Sequence, residues 1–156
     1  MNRVNHPLIQ KPTQAYIIAT WSALGVGVVS YLIGLWNATI QLNEKGFYFA
    51  VFLLALFSAT TLQKVIRDQA EGNPSTGIYC GLCWGSFGTS VMLLLIGLYR
   101  VELVLGEKGF YLIAFVLSLF SVITLQKNVR DAAAIEAIES AGSLAKHTAI
   151  SSEAKL

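Results

Sequence analysis

No aspartate, glutamate, lysine, arginine or histidine occurs within any of the four long apolar runs of this 156-residue chain. Ionisable side chains inside a membrane span usually mark proton relays, ion paths or counter-ions. Their absence argues against a carrier that couples transport to a buried carboxylate. The sequence also offers no nucleophile–base pair and no phosphate-binding glycine loop, so we expect no enzymatic activity.

Charge is scarce throughout the chain. Charged residues make up 13% of the sequence, against about 25% in an average soluble domain. They cluster between the apolar runs, which a soluble core would not require. The net charge of +2 is too small and too dispersed for a nucleic-acid surface. We therefore expect a lipid bilayer as the main partner and no nucleic-acid binding.

Cysteine and histidine are scarce too, with two of each. Cys80 and Cys83 fall in one predicted helix and give no disulfide framework. Their spacing resembles a dithiol redox motif or half of a metal site, but His6 and His147 stand alone in the terminal segments. We interpret the cysteines as small apolar side chains and expect no metal or other cofactor.

The apolar runs have the length of membrane-spanning helices. The first run has 21 uncharged residues, which rise about 31 Å as a helix, close to the thickness of a bilayer core. It is longer than the core of a signal peptide and has no small-x-small cleavage site after it. The four runs cover residues 16–36, 46–62, 79–99 and 109–125.

The sequence contains an internal repeat with an offset of 63 residues. Residues 21–68 and 84–131 are identical at 24 of 48 aligned positions. Each copy crosses the membrane twice, so both copies enter from the same side and are related by a pseudo-twofold axis along the membrane normal. We predict an all-α integral membrane protein with four transmembrane helices formed by two tandem parallel two-helix repeats. The Cys-x-x-Cys pattern was not duplicated, because its counterparts are Ile17 and Thr20.

The repeat and its flanks define four segments. Gly72, Asn73 and Pro74 predict a turn between the copies. Helix should continue beyond Asp131 through an alanine-rich stretch, and the chain from Ser140 onward is expected to fray. The predicted segments are an N-terminal cytoplasmic tail (1–15), the first membrane repeat (16–72), the second membrane repeat (73–135) and a flexible cytoplasmic C-terminal tail (136–156).

The distribution of cations predicts the orientation. Both termini lie on one side of the membrane, and six cations lie near the membrane on that side against three on the other. Such a bias favours a cytoplasmic location for the richer side. The six are Arg3, Lys11, Lys64, Arg67, Lys127 and Arg130, and the three are Lys45, Arg100 and Lys108.

The motif Gln-Lys-x-x-Arg-Asp closes both repeats. In a continuing helix Lys64 is four residues from Asp68, and Lys127 is four from Asp131, so we expect each pair to interact. The motif fits a membrane anchor in which cations meet anionic lipid, or a doubled docking surface for a cytoplasmic partner. Its residues are Gln63, Lys64, Arg67, Asp68, Gln126, Lys127, Arg130 and Asp131.

A second duplicated motif, Glu-Lys-Gly-Phe-Tyr, opens the second helix of each repeat on the far side. We place Glu44 and Glu107 just before the helix start, where a carboxylate meets the positive helix end. The lysines can extend to the interface, and the aromatic residues suit an interfacial belt. The other interpretation is a small charged mouth near the pseudo-axis. Its candidate residues are Glu44, Lys45, Gly46, Glu107, Lys108 and Gly109.

Small residues predict how the helices pack. Ala23-x-x-x-Gly27 and Gly81-x-x-x-Gly85 are spacings that permit close helix approach in lipid. We expect the odd-numbered helices to pack through their glycines. Ser58 and its counterpart Ser121 should face the bundle centre, either as packing residues or along a polar path.

The repeated unit resembles the YiaA/YiaB family of bacterial inner-membrane proteins. The resemblance covers about residues 16–131 and is carried by Trp21, Gly25, Gly34-Leu35-Trp36-Asn37, Leu42 to Phe49, Leu56-Phe57-Ser58, Gln63-Lys64 and Arg67-Asp68. The second copy departs from the unit, since Tyr99-Arg100 replaces Trp36-Asn37 and Gly106 replaces Asn43. The family is built on a two-helix domain, which some members carry twice. The resemblance implies a polytopic inner-membrane protein and supplies no catalytic or binding residue.

Two functions remain open at this point. The first is a structural or accessory protein that associates with itself or with other membrane proteins. The second is a small oligomeric transporter or channel for an uncharged or hydrophobic solute.

Overall fold

The computed structural model describes the backbone of residues 13–72 and 76–153, and the side chains of these residues up to Leu144. The regular structure of the described backbone is helical throughout. Its four helices are α1 (Gln14–Asn37), α2 (Leu42–Ala70), α3 (Gly77–Arg100) and α4 (Leu105–Glu153). All four are long and apolar enough to cross a membrane. The predicted four-span helical architecture is confirmed.

The second helix of each repeat begins earlier than predicted, and the reason is a capping interaction. Glu44 Oε2 accepts a hydrogen bond of 3.0 Å from the backbone N–H of Gln41, and Glu107 Oε2 accepts one of 3.2 Å from Val104. Both glutamates therefore lie in the first helical turn rather than before it. A carboxylate in this turn satisfies a free backbone donor and meets the positive end of the helix.

The turn after the first repeat begins with glycine in a left-handed conformation. Gly72 has a φ of 78°, a backbone region that side-chain-bearing residues rarely adopt. The backbone N–H of Glu71 donates to the carbonyl of Arg67, and that of Gly72 donates to the carbonyl of Gln69. These two hydrogen bonds cap the end of α2. Asn73 and Pro74, which also predicted this turn, lie outside the described residues, as does residue range 1–12 of the N-terminal tail.

The last helix is longer than predicted. We expected fraying from Ser140, but α4 continues to Glu153. Alanine-rich sequence favours helix here, and the serines bond to the helix itself: the Ser140 hydroxyl donates to the carbonyl of Glu136 and that of Ser143 to Ser140. At 1.5 Å per residue the 49 residues of α4 extend about 74 Å. The end of α4 thus projects well beyond the membrane.

The helices pack mainly across the repeats rather than within them. Helix α1 lies against α4, α3 lies against α2, and α2 contacts α4 near the pseudo-axis. The α1–α4 and α3–α2 pairs correspond to each other under the repeat, as a parallel duplication requires. Each hairpin therefore depends on the other for most of its helix–helix contact.

Aromatic rings fill the centre of the bundle. Phe52 and its counterpart Phe115 are 6.1 Å apart between ring centroids, across the α2–α4 contact. Tyr31 stacks on Phe52 at 4.2 Å and meets Tyr111 edge to face at 5.6 Å. The Tyr31 hydroxyl donates to the backbone carbonyl of Tyr48 at 3.2 Å. Offset and edge-to-face aromatic pairs add to packing, so this centre is closely filled.

Three glycines allow the close approaches between helices. A Cβ atom at Gly27 would lie 2.6 Å from the Ser118 hydroxyl oxygen, and one at Gly34 would lie 2.8 Å from the ring of Phe110. Gly97, the counterpart of Gly34, faces the ring of Tyr48 at 3.0 Å in the same way. The odd-numbered helices do pack through these glycines. The prediction fails for four others, whose Cβ positions meet open space: Gly25, Gly81, Gly85 and Gly88.

The buried serines other than Ser121 bond within their own helices. Ser58 and Ser121 are 1% and 2% exposed, which confirms that they face the interior. The hydroxyl of Ser58 donates to the carbonyl of Ala55, and that of Ser118 donates to Ala114. The Ser121 hydroxyl has no hydrogen-bond partner among the described residues. These groups pack in the bundle and do not line an open path.

The outward faces of the bundle are apolar. Large side chains such as Trp36, Phe57 and Phe120 are 82%, 68% and 70% exposed. A soluble monomer rarely exposes apolar patches beyond a few hundred Å². Lipid is therefore the solvent of these surfaces.

Candidate functional site: the paired basic ends of α2 and α4

The two Gln-Lys-x-x-Arg-Asp segments come together at one end of the bundle. They lie in the final turns of α2 and at the corresponding level of α4, at the end where α1 begins. A groove of about 420 Å³ is lined by residues of both segments, by Trp21 of α1 and by apolar residues of α4. The polar lining residues are Gln63, Lys64, Arg67, Gln126, Lys127 and Arg130. The fold thus combines two motifs, 63 residues apart in sequence, into one site.

The carboxylates of the motif pair with arginine rather than with lysine. Arg67 Nη2 is 2.9 Å from Asp68 Oδ1, and Arg130 Nη2 is 3.4 Å from Asp131 Oδ1. Arg67 also lies 3.6 Å from Glu71. The predicted Lys64–Asp68 and Lys127–Asp131 interactions are therefore wrong. A guanidinium presents several donors in a planar fork, so each arginine reaches the adjacent carboxylate while it also lines the groove beside the lysines.

The far-end motif has a structural role in the described residues. The glutamates cap α2 and α4, as given above. The Lys45 ammonium donates to the backbone carbonyl of Trp36 at 2.7 Å, which closes the end of α1. Gly46 and Gly109 face open space, and Lys108 is half-buried without a described polar partner. In the described part of the chain, the groove beside Glu44 is completed by Arg100 and Gly97 and not by the second Glu-Lys pair.

The cysteines separate into different environments. Cys83 is buried against Leu62 and Val65, while Cys80 is half-buried and accepts a hydrogen bond of 3.5 Å from the Gln69 amide. Among the described residues no group of three or more metal-ligating side chains gathers. Cys83 packs as the small apolar residue that the sequence suggested.

Two residues of interest were missed by the sequence argument. Trp21 lines the basic groove, and its only signal was its recurrence as Trp84. Asn128 is 3% exposed and its amide donates to the Thr20 hydroxyl at 3.3 Å. The signal for Asn128 was its mismatch with Val65, a buried apolar counterpart. The α1–α4 contact therefore carries a polar pair where the α3–α2 contact carries Cys83 and Val65.

Comparisons with known proteins agree with this architecture. The model of the yiaA/B two helix domain matches residues 16–68 and 79–131. The chain is 56% identical to the Inner membrane protein YiaA of Escherichia coli (strain K12) over 118 residues, which cover 76% of this chain and 81% of that relative. It is 42% identical to the Uncharacterized membrane protein YubF of Bacillus subtilis (strain 168) over 65 residues, 41% of this chain and 75% of that relative.

No solved structure matches the chain. The four spans and the similarity to an inner-membrane relative make this a multi-pass inner-membrane protein in contact with the lipid bilayer. With two matched domains over more than half of its length, the chain belongs to the yiaA/B two-helix domain family.

Proposed function

We propose that this protein is a non-enzymatic accessory component of the inner membrane that acts by lateral association with itself or with other membrane proteins. The observation that supports association is the face of α3 that contains Gly81, Gly85 and Gly88. The bundle does not use these glycines, because a Cβ atom at each would meet open space. Small residues at this spacing let helices approach closely in lipid.

The filled centre of the bundle argues against transport through a single copy. Tyr31 and Phe52 are 0% and 1% exposed and stack inside the bundle. The hydroxyl of Ser58, a candidate for a polar path, bonds to its own helix. A solute path would need these rings to move, whereas association needs no change in the bundle.

Association can be tested with purified protein carrying a donor or an acceptor dye in liposomes. Energy transfer between copies should fall as the protein is diluted in lipid. The double replacement Gly81→Leu with Gly85→Leu should weaken association about tenfold, a loss of about 1.4 kcal/mol. Gly25→Leu is the control, because it adds the same side chain to an open face of α1. Energy transfer no higher than that calculated for randomly distributed copies, at every protein-to-lipid ratio, would contradict self-association.

We also propose that both termini are cytoplasmic. The basic segments of α2 and α4 lie at the end of the bundle where α1 begins, and positive charge favours the cytoplasmic side. A fluorescent protein fused after Leu156, of a kind that matures only in the cytoplasm, should fluoresce. A phosphatase inserted between α1 and α2, active only in the periplasm, should be active. The reverse pattern would invert the orientation.

A further inference from the structure

We infer that the groove between the basic segments of α2 and α4 binds the phosphate headgroup of an anionic phospholipid. This site is separate from the α3 face proposed for association. Two lysines, two arginines and two glutamines from the duplicated motifs line one groove of about 420 Å³. All six side chains carry N–H groups that can donate hydrogen bonds to the oxygens of a phosphate. No acidic side chain is among the residues that line it.

The lysines supply the uncompensated charge of the groove. Arg67 is paired with Asp68 and Glu71, and Arg130 is paired with Asp131. Lys64 and Lys127 are exposed, and no ion pair to either occurs in the described part of the chain. The arginines are held in place by their carboxylates and keep further donors free. With four cations and three paired carboxylates, the groove and its ion pairs carry a net charge of +1, which matches a ligand with one negative charge.

The apolar lining indicates a lipid rather than a soluble anion. Trp21, Val122 and Val129 line the groove beside the cationic residues. All three belong to helices long and apolar enough to span the membrane. Basic pockets between helices at the cytoplasmic side are suited to lipid headgroups. The phosphate headgroup would contact the lysines, which form the cationic part of the lining. The glycerol and the first acyl carbons would contact Trp21, which belongs to the apolar part.

Tryptophan quenching tests this inference directly. Trp21 lines the groove, whereas Trp84 is its repeat counterpart at the same level of α3 and does not. Variants that retain only Trp21 or only Trp84, with phenylalanine at the other two tryptophans, are reconstituted in phosphatidylcholine vesicles. Brominated phosphatidylglycerol or brominated phosphatidylcholine is then added at equal mole fraction. Quenching by each lipid gives its relative occupancy next to each ring.

Trp21 should report a preference of about tenfold for phosphatidylglycerol over phosphatidylcholine, and Trp84 should report a much smaller one. Lys64→Gln or Lys127→Gln should each reduce the Trp21 preference up to about fivefold, since each cation near the surface contributes comparably. Both lysines are exposed, so the fold should be unaffected. Lys108→Gln removes the same charge at the opposite end of the bundle and should leave the preference unchanged.

Three outcomes would overturn the inference. Equal quenching of Trp21 by both lipids would exclude a headgroup site. An equal preference at Trp84 would reduce the effect to general attraction of anionic lipid around the bundle. Loss of the Trp21 preference on adding millimolar inorganic phosphate, but not chloride at the same ionic strength, would assign the groove to a soluble phosphate compound instead.

Discussion

Replacement of Gly27 by leucine should destabilise the bundle by about 2–3 kcal/mol or more, the cost of overpacking a tight contact. The Cβ atom alone would lie 2.6 Å from the hydroxyl oxygen and 3.0 Å from the backbone nitrogen of Ser118. A rotamer change could move the hydroxyl, but the backbone of α4 cannot yield without separating the helices. The measurement is the unfolding free energy in mixed micelles of increasing dodecyl sulfate.

Gly25→Leu is the control for this experiment. It adds the same side chain two residues away, where a Cβ atom meets nothing within 4 Å. It should be neutral or slightly stabilising, because leucine is a better helix former than glycine. Equal destabilisation at both positions would mean that Gly27 acts through helix propensity and not through the α1–α4 contact.

The repeat itself suggests a rescue of the tight contact. The counterpart of Gly27 is Ser90 and that of Ser118 is Ala55, and both are fully buried. At the α3–α2 contact the larger residue, Ser90, is therefore on the odd-numbered helix, and the smaller one, Ala55, is on the facing helix α2. Gly27→Ser alone should destabilise, and adding Ser118→Ala should recover part of the loss. Failure of the pair to recover would show that the two halves approach at different distances.

Separated half-chains, residues 1–73 and 74–156, should assemble into a one-to-one complex when produced together. Because α1 packs on α4 and α3 packs on α2, neither hairpin buries much of its surface alone. In a homodimer of the second half, α3 of each copy would take the place of α1 against α4 of the other copy. Cys83 would then lie opposite Asn128 at both contacts. That leaves two buried amides without the Thr20 acceptor, at about 1 kcal/mol each, which favours the mixed complex about thirtyfold.

The composition of the complexes can be measured by purifying one tagged half from membranes and weighing the co-purified chains by mass spectrometry. Asn128→Val makes the second half resemble the first at this site, so it should raise the fraction of second-half homodimers. Thr20→Val is the matched change in the other half and should leave Asn128 unpaired in the mixed complex. Stable, monomeric half-chains would contradict the packing described above.

The two motifs that form the basic groove could be predicted from the sequence, but their meeting in one groove could not. The motifs at Gln63–Asp68 and Gln126–Asp131 were evident from the repeat, and a helix continuing through them was expected. That Lys64 and Lys127 would face one groove, with Trp21 beside them, was not. Nor was the pairing of Arg67 with Asp68, because helix periodicity favours neighbours four residues apart and ignores the reach of a guanidinium.

The sequence by itself determined the solvent, the number of spans and the duplication. Uncharged runs of this length indicate helices, because each run matches one helical crossing and a helix satisfies its own backbone hydrogen bonds, which lipid cannot do. Two crossings per copy then require parallel repeats.

Only the tertiary structure decided which helices meet. In lipid the outward residues are as apolar as the inward ones, so hydropathy does not distinguish the faces of a helix. Helix association there depends on shape and on small residues. Gly27 and Gly85 both belong to small-x-x-x-small pairs in the sequence, yet one lies against Ser118 and the other faces open space. The close approach at Gly27 is set by the fit of α1 on α4, a contact between residues about 90 positions apart in the chain.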